Sequence, residues 1–422
     1  MTDGRSLRVQ WLAWRPFGQS VSIPGYGATF LAEFATLAAS LLVLRLAARH
    51  WGPAGFGEYV LARRALTLIQ LPILLNMGVA LSRFVAISSG DDASSSRQTF
   101  LVATTGIAAV TSVAALAVLF LVATPAAALL FGDAQYAPLM RATAFALPGI
   151  ALHGVAYGYF RGRLHLAAAN TLQVVNLGVI PVAILLMPGI SVTGAMRALA
   201  GGWIGVALLA LAVPLARALK QRSGGVPGAV RTLLRYGLPR VPGEFALAAL
   251  YSLPTTLAAH FGGVTAAGFV GLGVALLSAV GSVYAPLGQI VLPSVSAAAA
   301  GRDRDALRRG VWRLWFGCMA TASVMLVILA VAAPLLIAAY VGPAFVPATP
   351  VARLLLLAGP GQVTYVVLRN VLDALDIRAR NARNLVIALA VFVGMVLIAG
   401  RPDAVAAALC VAVTGLGALS LY

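Results

Sequence analysis

Apolar stretches long enough for a helix to cross ~30 Å of hydrocarbon, about 20 residues each, recur along the whole chain. Short polar or glycine- and proline-bearing breaks separate them. The pattern predicts helices near 25–48, 58–88, 99–122, 139–161, 167–187 and 193–217. After a polar link it predicts six more, near 235–259, 266–297, 311–338, 350–373, 381–399 and 403–421. The expected class is an all-α integral membrane protein with twelve transmembrane helices. A soluble fold would need a dozen buried helices with no polar surface to cover them.

Two breaks resemble each other. RHWGPAGFGEYVLARR, Arg49 to Arg64, returns in degraded form as HFGGVTAAGFVGLG, His260 to Gly273. A shift of 211 residues lays Gly57 on Gly268 and Gly90 on Gly301. Shifts of 210 and 212 lay Tyr26-Gly27 on Tyr236-Gly237 and Pro148-Gly149 on Pro360-Gly361. The reading is a duplicated six-helix unit. Six is even, so both copies face the same way, as parallel repeats about an axis along the membrane normal. The domains follow: an interfacial lead-in over 1–24, an N-terminal six-helix lobe over 25–220, a linker over 221–234 and a C-terminal six-helix lobe over 235–422. Arg49–Tyr59 is expected to be a tight extracytoplasmic turn, its glycines and Pro53 ending one span and starting the next.

Composition agrees: 61% of residues are hydrophobic and 10% charged, against roughly a quarter charged in soluble domains. The net charge of +18 does not point to nucleic acid, because the basic residues form no continuous patch. They cluster in alternate loops. Arg97, Arg161, Arg163, Arg217, Lys220, Arg222, Arg231, Arg235, Arg302, Arg304, Arg308, Arg309, Arg378, Arg380 and Arg383 lie on the side of the N-terminal Arg5, Arg8 and Arg15. Opposite them stand Arg49, Arg141 and Arg401, with Arg45, Arg197 and Arg353 nearby. By the positive-inside rule both termini are cytoplasmic. The first 24 residues, with Trp11 and Trp14, lack a signal-peptide core and read as an attached amphipathic lead-in. Cys318 and Cys410 lie inside apolar runs, so no disulfide framework is expected.

Ionisable residues inside spans are costly and therefore point to function. Glu33 and Glu244 occupy equivalent repeat positions, each after a Pro/Gly-interrupted stretch, IPGYGATFLAEF and YGLPRVPGEF. A carboxylate there would bind a proton or Na⁺, or contact sugar hydroxyls; the structural alternative pairs Glu244 with Arg240 four residues away. Arg63 and Arg64 point about 100° apart on a helix, so one is expected to face an internal cavity. Arg45 and Arg49 would add charge at the same extracytoplasmic mouth. Arg83 and Arg369 are expected to snorkel to the interface. In LHGVAYGYFRGR, Gly154, Gly158 and Gly162 form a stripe for close helix packing. Tyr157 and Tyr159 beside it would stack on sugars or belong to an aromatic belt. Asn76, Asn170, Gln173, Asn176 and Gln289 suit interhelical hydrogen bonds or ligand contact. No phosphate loop occurs, and Lys220 is the only lysine. His50, His153, His165 and His260 are scattered without metal-ligand spacing. No cofactor, metal or catalytic chemistry is expected.

GPAGFGEYVLARR followed by LPILLNMGVALSRFVA resembles the first-repeat signature of bacterial polysaccharide-export flippases. These are the Wzx-like oligosaccharide flippases of the multidrug/oligosaccharidyl-lipid/polysaccharide (MOP) exporter superfamily. RYGLPRVPGEF, AAGFVGLG and VLPSVSAAAAGRDRDALRR continue the likeness through the second half. The resemblance implies a MATE-like two-lobe transporter with a central cationic cavity, working by alternating access in the bacterial cytoplasmic (inner) membrane. Its implied cargo is undecaprenyl-diphosphate-linked oligosaccharide, an anionic lipid-linked glycan. The arginines would receive diphosphate or acidic sugars while the lipid tail stays among membrane lipids. A monomer is expected, working beside a polysaccharide polymerase or glycosyltransferases. The chain departs from the pattern at LYSLPTTLAAHF, which has no Asp or Arg. The main alternative is a cation-coupled drug antiporter of the same superfamily, which would want acidic rather than arginine-rich walls. A lipid II-type flippase would carry helices beyond twelve, and a membrane glycosyltransferase would need a large outer loop with carboxylates.

Overall fold

A computed structural model of the chain describes residues 23–88, 93–220, 225–300, 304–375, 380–399 and 401–422. The lead-in as far as residue 22 lies outside the described residues, as do Arg222, Arg302 and Arg378. The N-terminal half contains α1 (Ile23–Leu74), α2 (Met77–Ile87), α3 (Ala93–Leu121), α4 (Ala123–Phe131), α5 (Ala137–Ala144), α6 (Ala146–Gly162), α7 (Leu166–Val174), α8 (Ile180–Leu185) and α9 (Val192–Lys220). Then come α10 (Val226–Gly237), α11 (Val241–Ala300), α12 (Arg304–Tyr340), α13 (Thr349–Leu356), α14 (Gly359–Leu375), α15 (Arg380–Ala399) and α16 (Pro402–Leu421). Among the described residues nine helical stretches are long and apolar enough to cross a membrane, or ten if the pair bent by 51° at α13–α14 counts as one. The chain is a multi-pass membrane protein. Helices suit that setting because each pairs its own backbone groups where no water can.

Two stretches far exceed one crossing. Thr29–Leu74 runs 46 residues and Val226–Ala285 runs 60, whereas about 20 suffice. Each holds one non-helical residue: Gly52 (φ 63°, ψ −172°) and Gly263 (φ 71°, ψ −174°), 211 positions apart. That backbone region is essentially closed to any residue with a Cβ. The turn expected over Arg49–Tyr59 is thus a single-residue hinge with helix on both sides. Pro53 follows it, where a missing N–H costs a new helical segment little. So abrupt a turn leaves few backbone groups unpaired, which suits a chain that crosses hydrocarbon.

Other expected spans are broken. The predicted helix 58–88 is interrupted at Leu75 and Asn76, both with positive φ (47° and 58°). The predicted helix 350–373 divides into α13 and α14. A π-turn at Val175–Val179 joins α7 to α8. The stretch expected as an open link, 221–234, is helical from Val226 and continues to Gly237. It starts after left-handed Gly225 with Pro227 in its first turn. Its apolar face sets Ala229 and Leu233 against Met77, Ala80 and Ala103, which is why the stretch docks rather than dangles.

Five apolar clusters of buried residues hold the bundle among the described residues. One is built from residues between Leu81 and Ala218, a second from residues between Ala246 and Leu416. A third joins the two halves of the chain, from Val43 to Ala352. Helix α6 lies on α2 through its glycine stripe. A Cβ on Gly158 would overlap the backbone of Gly78, and one on Gly162 would come to 2.6 Å from the Ser82 carbonyl. Gly158→Val should therefore destabilise the protein by about 1–3 kcal/mol through overpacking, measured as a lowered unfolding midpoint in detergent.

Candidate functional site

Helices α1 and α11 pack against each other, and beside their contact lie two adjoining chambers of about 350 and 650 Å³. The first is walled by Ser40, Tyr59, Arg63, Arg64 and Thr67 of α1, by Leu177 and Pro181, and by Ser278 and Ser282 of α11. The second is walled by Glu244, Tyr251 and Ser252 of α11 and by Gln362, Tyr365 and Arg369 of α14. Arg64, Thr67, Ser278 and Ser282 border both, so the chambers share a wall.

The first chamber is cationic. The Arg63 guanidinium carbon stands 5.2 Å from the ring centre of Trp203, a cation–π arrangement. Its Nη1 is buried without a hydrogen-bond partner among the described residues. Adjacent residues diverge on a helix, yet both arginines reach this wall, one more than the sequence led us to expect. The second chamber mixes functions. The Tyr251 hydroxyl donates to Gln362 Oε1. Arg369 lies 5.8 Å from the Tyr365 ring centre, and the Glu244 carboxylate is exposed. The Ser252 hydroxyl is buried without a partner among the described residues. The walls together carry Arg63, Arg64 and Arg369 against Glu244. An excess of guanidinium along a cavity wall attracts anions and repels cations.

The remaining predicted site residues lie elsewhere. Glu33 is half-buried on α1 and does not line either chamber. Arg45 lies 5.9 Å from the Tyr340 ring centre, and Arg49 Nη2 donates to the Ala339 carbonyl at 2.8 Å. Arg240 turns back onto Tyr236, donating to its carbonyl at 2.7 Å with the guanidinium 3.8 Å from the ring centre. Arg83 takes the same ring at 5.2 Å. Tyr236, rather than Glu244, is therefore the partner of Arg240. The Tyr157 hydroxyl accepts from Arg161 at 3.1 Å and its ring stacks on His153. Tyr159 is buried and accepts from Arg163 at 3.4 Å. Among the described residues no three of His, Cys, Asp and Glu gather as a metal site.

Tyr251, Gln362, Tyr365 and the chamber serines Ser40, Ser252, Ser278 and Ser282 were missed in the sequence. Gln362 follows Pro360-Gly361, one of the repeated pairs, and that was the available signal. Arg369, expected at the interface, stands in the wall of the second chamber.

The sequence pattern of a family described as polysaccharide biosynthesis proteins matches residues 23–299. No curated protein matches the chain in sequence. Solved structures share the fold. An inward-facing multidrug-resistance MATE transporter of the MOP superfamily superposes with a TM-score of 0.68 at 14% identity, over 92% of this chain and 96% of that one. The lipid II flippase MurJ in an inward closed conformation gives 0.66 at 13%, over 95% and 87%. An outward-facing MATE transporter gives 0.59 at 14%, over 98% and 96%.

Proposed function

Because the chain belongs to the polysaccharide biosynthesis protein family, we propose that it flips a lipid-linked anionic oligosaccharide across the bacterial inner membrane by alternating access. The observation that carries this reading is the chamber wall: three arginines against one carboxylate inside an apolar bundle, with Arg63 Nη1 lacking a partner. Guanidinium forks match phosphate oxygens bidentately, so Arg63 and Arg64 receive the diphosphate of an undecaprenyl carrier. The first sugars lie in the adjoining chamber, against the ring of Tyr365 and the hydrogen-bonding groups of Tyr251, Gln362, Ser252 and Glu244. The lipid tail stays in the bilayer. A drug antiporter moving cations would have to bring its cargo against the same arginines.

The architecture that supports this reading has twelve crossings, since the hinges at Gly52 and Gly263 let α1 and α11 each supply two. Residues 25–220 and 235–422 form two six-helix lobes, joined by α10, with both termini in the cytoplasm. The end bearing the hinges is then extracytoplasmic and closed. The greater likeness to inward than to outward structures agrees with that. The working unit is a monomer, receiving its cargo from glycosyltransferases and delivering it to a polymerase.

Reconstituted vesicles test the proposal. A fluorescent undecaprenyl-diphosphate oligosaccharide should exchange between leaflets much faster with the protein than without it. The monophosphate analogue should move more slowly, and a lipophilic drug cation should not move at all. Drug movement without glycan movement would overturn the reading in favour of the antiporter.

A further inference from the structure

The hinges of α1 and α11 meet at one end of the bundle. A Cβ on Gly57 would overlap the Val264 carbonyl, and one on Gly268 would come to 2.8 Å from the Pro53 carbonyl. This seam of two repeat-related glycines presses the halves of the chain backbone to backbone. Side chains cross here from half to half: the Tyr340 hydroxyl donates to the Leu41 carbonyl, and two exposed side chains reach helix ends of the opposite half. Arg49 Nη2 donates to the Ala339 carbonyl at 2.8 Å, and His260 Nε2 donates to the Leu129 carbonyl at 2.8 Å. Both side chains are exposed.

The two bonds are copies of each other. Arg49 and His260 stand 211 residues apart, the same interval as the hinge glycines. Their acceptors stand 210 apart, each three residues before a glycine with positive φ, Gly132 (82°) and Gly342 (121°). Both acceptors lie in the last turn of a helix, α4 or α12, where carbonyls have no donor of their own. A donor from the opposite half satisfies each one only while the halves touch. We propose that Arg49 and His260 are a repeat-related pair of latches that hold this end closed and set the balance between the two access states. The proposal rests on the alternating-access reading and not on the identity of the cargo. Each latch is one exposed hydrogen bond, so each biases the balance by about fivefold. That is strong enough to favour closure and weak enough to break in every cycle.

The test places nitroxide labels at Met187 and Ile398, exposed positions 211 residues apart, in the full chain with Cys318 and Cys410 replaced by alanine. Distances are measured by pulsed electron resonance in lipid nanodiscs, without substrate. Arg49→Ala and His260→Ala should each raise the share of the longer distance about fivefold, and the double variant about 25-fold, as independent sites add. His260→Arg, which puts the other half's donor in this one, should return the share towards the wild-type value. Gly57→Val, which wedges the seam, serves as the reference for an opened end. If it lengthens the distance while the double alanine variant matches the wild type, the latch is wrong and alternating access stands. If neither variant changes the distance, the halves do not part here and both ideas fall. Loss of glycan flipping with the distance shifts intact would remove only the cargo assignment.

Discussion

Replacing Arg63 and Arg64 together with alanine should slow glycan flipping about a hundredfold, while Arg217→Ala, exposed on α9, should stay close to wild type. The size follows from charge-assisted hydrogen bonds, worth about 1.5–3 kcal/mol each when buried. Two of them are lost, and the lower end of that range already gives about two orders of magnitude. The single variants should differ. Arg64 borders both chambers and Arg63 only the first, so Arg64→Ala should cost more. Arg64→Lys should fall between, because an ammonium keeps the charge but loses the planar fork. Initial rates with the diphosphate substrate in vesicles measure all of these. Equal rates for the double variant and Arg217→Ala would remove the arginine wall from the mechanism.

The second large effect is conformational. Gly52→Ala and Gly263→Ala should each destabilise the protein by about 1–3 kcal/mol, because φ near 65° with extended ψ is a strained region for any residue bearing a Cβ. No neighbour stands within 4 Å of a Cβ at either position, so the penalty comes from the backbone alone. Gly106→Ala on α3 is the control. It too has open space around it, but its backbone is helical, and alanine there should leave stability unchanged or improve it by up to about 1 kcal/mol. Unfolding midpoints in detergent separate the cases. A hinge variant as stable as the control would mean that the chain can make this turn another way.

Several features could be read before any coordinates. The spans follow from runs of apolar residues, since a helix that crosses lipid must be apolar over its length whatever surrounds it. The 211-residue interval showed because glycine is hard to replace where a backbone turns or touches another. Gly57 and Gly268, picked out by interval, meet at the seam between the halves. The glycine stripe of α6 showed for the same reason. The site was read less well. Glu33 and Glu244 share a repeat position, yet only Glu244 faces a chamber. Arg45, Arg49, Tyr157 and Tyr159 are as polar as the wall residues, and each is engaged with a neighbour away from the chambers. Depth along a helix can be read from sequence; the face that meets a cavity depends on its neighbours.

The order of residues alone settled that this chain is a helical membrane protein, because hydrocarbon imposes length and apolarity on every crossing, and it marked the glycines that the backbone requires at its sharpest turns. Tertiary structure decided which arginines share a chamber, that a supposed link is a docked helix, and that Arg49 and His260 bridge the halves. Those outcomes depend on helix rotation and on contacts between residues hundreds of positions apart. No local pattern encodes them, since the same side chain costs or stabilises according to what stands opposite it.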